Sequence, residues 1–176
     1  MQDIILDDFE DLSGWRPFAP GKAELVISRD EGVKGKAMRL DFDFHGGGGF
    51  VVARKDVALE IPEGYSFGFR VRGDAPRNHF EFKLVDASNR NVWRYRVEGF
   101  DFPEEWRPVR IRGSRIEFAW GPLGGGPPRD IAALELVIAA GPGGRGTVWF
   151  EGLCFQDNTY RSTPRVTASG SLPGHD

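Results

Sequence analysis

The side chains best equipped for chemistry in this chain stand on two short segments. In His79-Phe80-Glu81-Phe82-Lys83-Leu84 an imidazole, a carboxylate and an ammonium recur at every second position, and in Val92-Trp93-Arg94-Tyr95-Arg96-Val97 two guanidiniums do the same. A period of two is that of a β-strand, whose successive side chains leave opposite faces. His79, Glu81 and Lys83 therefore share one face and Phe80, Phe82 and Leu84 the other. If Trp93 and Tyr95 are core, Arg94 and Arg96 join the polar face. Such a face can neutralise and hydrogen-bond a polar ligand. The competing reading is a solvated surface with ordinary cross-strand salt bridges. On either reading such pairs contribute only about 0.2–1 kcal/mol each, so Arg94→Ala and Arg96→Ala are expected to be almost silent in stability, and only a binding face would lose ligand.

Catalytic groupings are poorly represented. A glycosidase needs two carboxylates facing each other across a cleft, whereas Glu104-Glu105 follows Pro103 in a turn that would hold neither. His45 has no serine or cysteine motif beside it. Gly46-Gly47-Gly48-Gly49 lacks the following GK[ST] and helix of a phosphate-binding loop, so it reads as a plain loop. Cys154 is the single cysteine, which excludes an intrachain disulfide and a thiolate metal cluster, and its apolar neighbours predict a buried thiol. The chain is expected to be no enzyme.

The elements that must position these groups are strands. With 24 Gly, 12 Pro, 14 Phe and 5 Trp in 176 residues, the composition is that of many turns joining aromatic-rich strands, in one domain with one core. Strands are predicted at 3–9, 23–28, 37–44, 50–57, 65–72, 79–86, 91–97, 106–112, 131–139 and 146–155. No helical period falls between them, which predicts an all-β antiparallel sandwich of jelly-roll type. Phe80, Phe82, Leu84, Trp93, Tyr95, Leu134, Leu136, Ile138, Trp149 and Phe150 are the expected core. Gly121-Pro122-Leu123-Gly124-Gly125-Gly126-Pro127-Pro128 must be a long rim loop. After Phe155 the apolar pattern stops, so 1–155 reads as the domain and 156–176 as a linker.

The balance of 23 Lys+Arg against 26 Asp+Glu, with no basic block, gives no source for the counterion release that drives nucleic-acid binding. No apolar run reaches the roughly 20 residues of a membrane-spanning helix. The expected partners therefore include neither nucleic acid nor membrane, and the chain is expected to be a monomer.

Asp7-Asp8-Phe9-Glu10 followed by Trp15, then Gly35-Lys36-Ala37-Met38-Arg39-Leu40, Phe67-Gly68-Phe69-Arg70-Val71-Arg72-Gly73 and a closing Val148-Trp149-Phe150-Glu151-Gly152-Leu153 resemble the jelly-roll modules of the galactose-binding-like superfamily. The resemblance is to family 11 carbohydrate-binding modules and the related complex I intermediate-associated protein 30 type domains, and it spans about 4–155. The tail from Val166 to Asp176 resembles the opening of a discoidin (factor 5/8 type C) domain. These resemblances imply a non-catalytic module for an oligo- or polysaccharide, set beside other domains of a larger secreted or periplasmic protein of the glycoside hydrolase type. A second implied role is a spacer that docks neighbouring domains or a protein partner.

Modules of this kind stack aromatic rings on sugar faces and bond the hydroxyls with flanking polar groups. The candidate ligand-binding residues are thus Trp120, Trp15, His79, Glu81, Lys83, Arg94 and Arg96. Trp120 stands either at the rim beside the glycine-proline loop or in phase with Phe118 in the core. Trp15 is either exposed at a sheet edge or a cap on the core. The superfamily also implies a structural calcium ion between the first and last strands, held by Asp8, Glu10 and Glu151 with carbonyls near Gly32 to Lys36; the alternative is that these acids merely terminate strands.

Overall fold

The computed structural model describes residues 3–159. Twelve strands and one short 3-10 turn (Gly113–Arg115) follow one another in the order β1 (Asp3–Asp7), β2 (Trp15–Phe18), β3 (Glu24–Glu31), β4 (Lys36–Asp43), β5 (Phe50–Glu60), β6 (Tyr65–Asp74), β7 (Asn78–Asp86), β8 (Val92–Phe100), β9 (Arg107–Arg112), β10 (Glu117–Trp120), β11 (Asp130–Ala139) and β12 (Arg145–Asp157). The ten predicted strands are present; β2 and β10 are additional. The first sheet runs β3-β4-β12-β6-β9, with β1 also paired to β12, and the second runs β10-β8-β7-β11-β5-β2. Every pairing is antiparallel. Residues distant in sequence, such as those of β4 and β12, are brought side by side, as a jelly-roll sandwich requires.

The inward faces of the two sheets meet in an aromatic core. Phe67 lies 4.9 Å from Phe82 between ring centroids, and Phe150 lies 5.5 Å from Phe69 and 6.0 Å from Phe80. Each such ring contributes roughly 2–3 kcal/mol through burial, and each pair about 0.5–1.5 kcal/mol more. Of the expected core, Phe80, Phe82, Leu84, Trp93, Leu134, Leu136, Ile138 and Phe150 are buried there and Tyr95 packs against it.

Trp149 is the exception, because adjacent strand residues cannot both point inward and Phe150 does. Trp149 instead lies on the outer face of the first sheet. It is buried there under the guanidinium of Arg72, 4.0 Å from the ring centroid, and its indole N–H donates to Asp30 at 2.9 Å. Strand β12 continues past Phe155, pairing Gln156 with Ser66 and Asp157 with Tyr65. From residue 160 onward the expected linker, including the discoidin-like segment from Val166, lies outside the described residues.

Candidate functional site

Register lines up the outward side chains of the second sheet in rows that cross its strands. One row is Trp120, Val92, Val85, Ala133 and Asp56; the next is Glu117, Arg94, Lys83, Glu135, Arg54 and Arg16. A third carries Arg96, Glu81, Val137, Val52 and Phe18, and a fourth His79, Ala139 and Phe50. The polar face expected from alternation is therefore real, and His79, Glu81, Lys83, Arg94 and Arg96 share it. Its middle is covered by its own long side chains, since Val137 is fully buried there.

Trp120 joins this face through a β-bulge. Glu117 opposes Arg94 and Phe118 opposes Trp93, but Trp120 opposes Val92, so Ala119 is the extra residue and the alternation is broken. Without the bulge Trp120 would follow Phe118 inward; with it the indole turns outward and is 48% exposed. Gly121 makes the exit possible. Its φ of +137° lies outside the range of other residues, and an added Cβ would sit 2.5 Å from the Arg90 carbonyl oxygen.

The Trp120 ring is bordered by cations: the Lys83 ammonium is 4.8 Å and the Arg94 guanidinium 5.7 Å from its centroid. Arg94 also donates to Glu81 at 2.9 Å. Arg96 reaches Glu98 at 3.6 Å, and His79 Nδ1 accepts the Gly99 N–H at 3.0 Å, which orients the imidazole. Arg94, Arg96 and Glu117 further line a cleft with Arg115 and Phe118 along the β8–β10 edge.

Two contributors were missed by sequence reasoning. Phe50 and Phe18 are both exposed on this face, with ring centroids 6.2 Å apart, and Phe50 lies 6.0 Å from the Lys83 ammonium on the side away from β10. For Phe50 the signal was legible, since it is in phase with Arg54 and Asp56 along β5. Phe18 had none, because β2 is too short to show a period.

Trp15 is a correction. The chain turns back at Leu12, whose carbonyl accepts the Trp15 N–H at 3.0 Å, and the indole enters the core 5.8 Å from Phe9. Its N–H donates to Asp7 at 2.8 Å, and Asp7 is also held by Lys55 at 2.6 Å. A ring so enclosed, 6% exposed, offers no surface to a ligand.

The expected calcium ligands also take other roles. Glu151 is 3% exposed, and its carboxylate accepts the N–H groups of Val33 at 2.6 Å, Lys34 at 2.8 Å and Gly35 at 3.1 Å. Arg70 adds a contact at 3.2 Å. Burial alone would push this carboxyl up, but the N–H donors and the guanidinium outweigh it and hold it below its ordinary value of 4.5. The loop thus presents donors, not the carbonyls a cation needs. Asp8 and Glu10 are exposed, Asp8 accepting the Glu10 N–H at 3.0 Å. Among the described residues no three acidic, histidine or cysteine side chains converge as a metal site. The arrangement at Glu151 does not fit calcium.

Two packed antiparallel sheets with this strand order define a jelly-roll β-sandwich. No family model matches the sequence, and no curated protein matches it. Among solved structures, the fold is similar to the family 11 carbohydrate-binding module of the cellulosomal cellulase Lic26A-Cel5E of Clostridium thermocellum, with a TM-score of 0.70 at 15% identity over 88% of this chain and 94% of that one. The family 11 module from Clostridium thermocellum in complex with a β-1,3-1,4-mixed-linked tetrasaccharide gives 0.71 at 15% identity over 87% and 94%. An exo-β-agarase matches 90% of this chain with 26% of its own, with a TM-score of 0.62 at 13% identity.

Proposed function

We propose that the chain is a non-catalytic carbohydrate-binding module whose saccharide lies across the outer face of the second sheet. The observation that carries this is the exposure of Trp120, Phe50 and Phe18 on a face that also carries Glu81, Lys83, Arg94, Arg96 and His79. Aromatic faces stack on the apolar faces of pyranose rings, and Glu81, Lys83, Arg94, Arg96 and His79 stand between them to bond the hydroxyls. The similarity of fold to family 11 modules supports the reading. A docking role calls for one contiguous apolar patch. Among the described residues the remaining exposed large apolar side chains, Ile4, Ile5, Val26, Val33 and Leu123, are dispersed over β1, β3 and two loops.

In its wider context we propose, from the sequence resemblance, a monomeric accessory module of a secreted or periplasmic polysaccharide-acting protein, next to other domains of that chain. Affinity electrophoresis against soluble β-glucans, xylans, galactans and uronans tests the binding face. Trp120→Ala and Phe50→Ala are each expected to weaken retention about 10-fold, a loss of about 1.4 kcal/mol, with an unchanged melting temperature. Retention equal to the parent's in both variants would move the site elsewhere.

A further inference from the structure

The middle of the proposed binding face holds an ammonium group that makes no ion pair among the described residues. Lys83 is only 9% exposed. Its neighbours across the strands are Glu135 on β11 and Arg94 on β8, with Glu81 two residues away on the same face. Both acids are bound elsewhere, Glu135 to Arg54 at 3.3 Å and Glu81 to Arg94 at 2.9 Å. Among the described residues Lys83 has no ion pair and no hydrogen-bond acceptor, only the rings of Trp120 at 4.8 Å and Phe50 at 6.0 Å. Glu117 opposite Arg94 and Asp56 beside Arg54 balance the remaining cations of the face, so Lys83 is distinguished by its lack of an ion pair and by its place between the two stacking surfaces.

The Lys83 stem is covered by its neighbours while its ammonium still reaches solvent, so its three donors are open to an anion laid across the face. We infer that Lys83 is a specificity-determining residue for an anionic sugar, one bearing a carboxylate or sulfate ester, with its ring held against Trp120 or Phe50 and its charged group at the Lys83 ammonium. This rests on the carbohydrate reading and narrows it to acidic polysaccharides.

The test uses the whole chain in affinity electrophoresis and calorimetry against polygalacturonate, κ-carrageenan and barley β-glucan, which supply a carboxylate, a sulfate and a neutral probe. At least one acidic probe is expected to bind about 10-fold tighter than the β-glucan and to weaken as salt rises from about 0.05 M to about 0.5 M, where charge is screened. Which acidic probe prevails identifies the source of the charge. Lys83→Met should lose about 10-fold for that probe and stay within about 2-fold for the β-glucan, while Lys83→Arg retains most of the binding. Equal binding of acidic and neutral probes without salt dependence in the parent would overturn the inference and leave the carbohydrate reading standing, even if Lys83→Met failed to fold. Undiminished acidic binding by folded Lys83→Met would do the same. No binding to any of the three probes would overturn both.

Discussion

Replacing Glu151 by alanine should be among the most damaging single changes outside the aromatic core. The carboxylate accepts three consecutive backbone N–H groups from the loop between β3 and β4 and pairs with Arg70. Gly32 lets the loop close over it, since a Cβ there would lie 2.5 Å from the Glu151 carboxyl carbon. Alanine orphans all of these donors. Each bond to a charged acceptor is worth about 1.5–3 kcal/mol, but the loop is at the surface and water recovers part of the loss, so about 3–5 kcal/mol is expected. For a domain of this size that lowers the melting temperature by roughly 6–20 °C. Glu151→Gln keeps one acceptor oxygen and should lose less.

The pH dependence carries a definite sign. Because the folded carboxyl titrates below its ordinary value of 4.5, its contribution is complete above that value and disappears as pH falls through the lower folded value. The gap between parent and Glu151→Gln should therefore narrow on acidification below 4.5. Urea unfolding followed by tryptophan fluorescence across this range reads both effects, with and without chelator. Chelator should leave the parent unchanged. A loss below about 1 kcal/mol in Glu151→Ala, or a chelator-induced drop in the parent that this variant abolishes, would refute the account.

Two further outcomes concern the charged face and the core. Glu81 is 6% exposed and Arg94 is its ion-pair partner, so Arg94→Ala should cost about 2–4 kcal/mol in urea unfolding, whereas Arg96→Ala, whose partner Glu98 is exposed, should cost less than about 0.5 kcal/mol. Burial pushes the Tyr65 phenol from 10.0 up to about 12, and its hydroxyl is buried without a partner among the described residues. Its raised folded value favours the fold below 10 and is lost as pH rises toward 12, so parent stability should fall across that window relative to Tyr65→Phe, as measured by unfolding at each pH. At neutral pH Tyr65→Phe should be no less stable than the parent, because no hydrogen bond is lost.

The alternation in β7, β8 and β11 was enough to assign both faces of the second sheet, because a strand sends neighbours to opposite sides and a long strand repeats that choice many times. Where the local pattern was short or contradictory the sequence was silent. Trp149 and Phe150 are adjacent, both apolar, and only the pairing of β12 with β4 and β6 decides that Phe150 faces the core and Trp149 the Arg72 guanidinium. The acidic character of 81 and 151 was legible, but their burial was not. Arg94 and Val33 to Gly35 reach them from segments 13 and more than 100 residues away in sequence. The same holds for the candidate site. Strand periodicity alone put Glu81, Lys83, Arg94 and Arg96 together, whereas the bulge that turns Trp120 outward and the register that brings Phe50 to Lys83 exist only once distant strands are hydrogen-bonded. Side-chain direction within a strand is a local property of the backbone; which rings and charges then meet is fixed by long-range register.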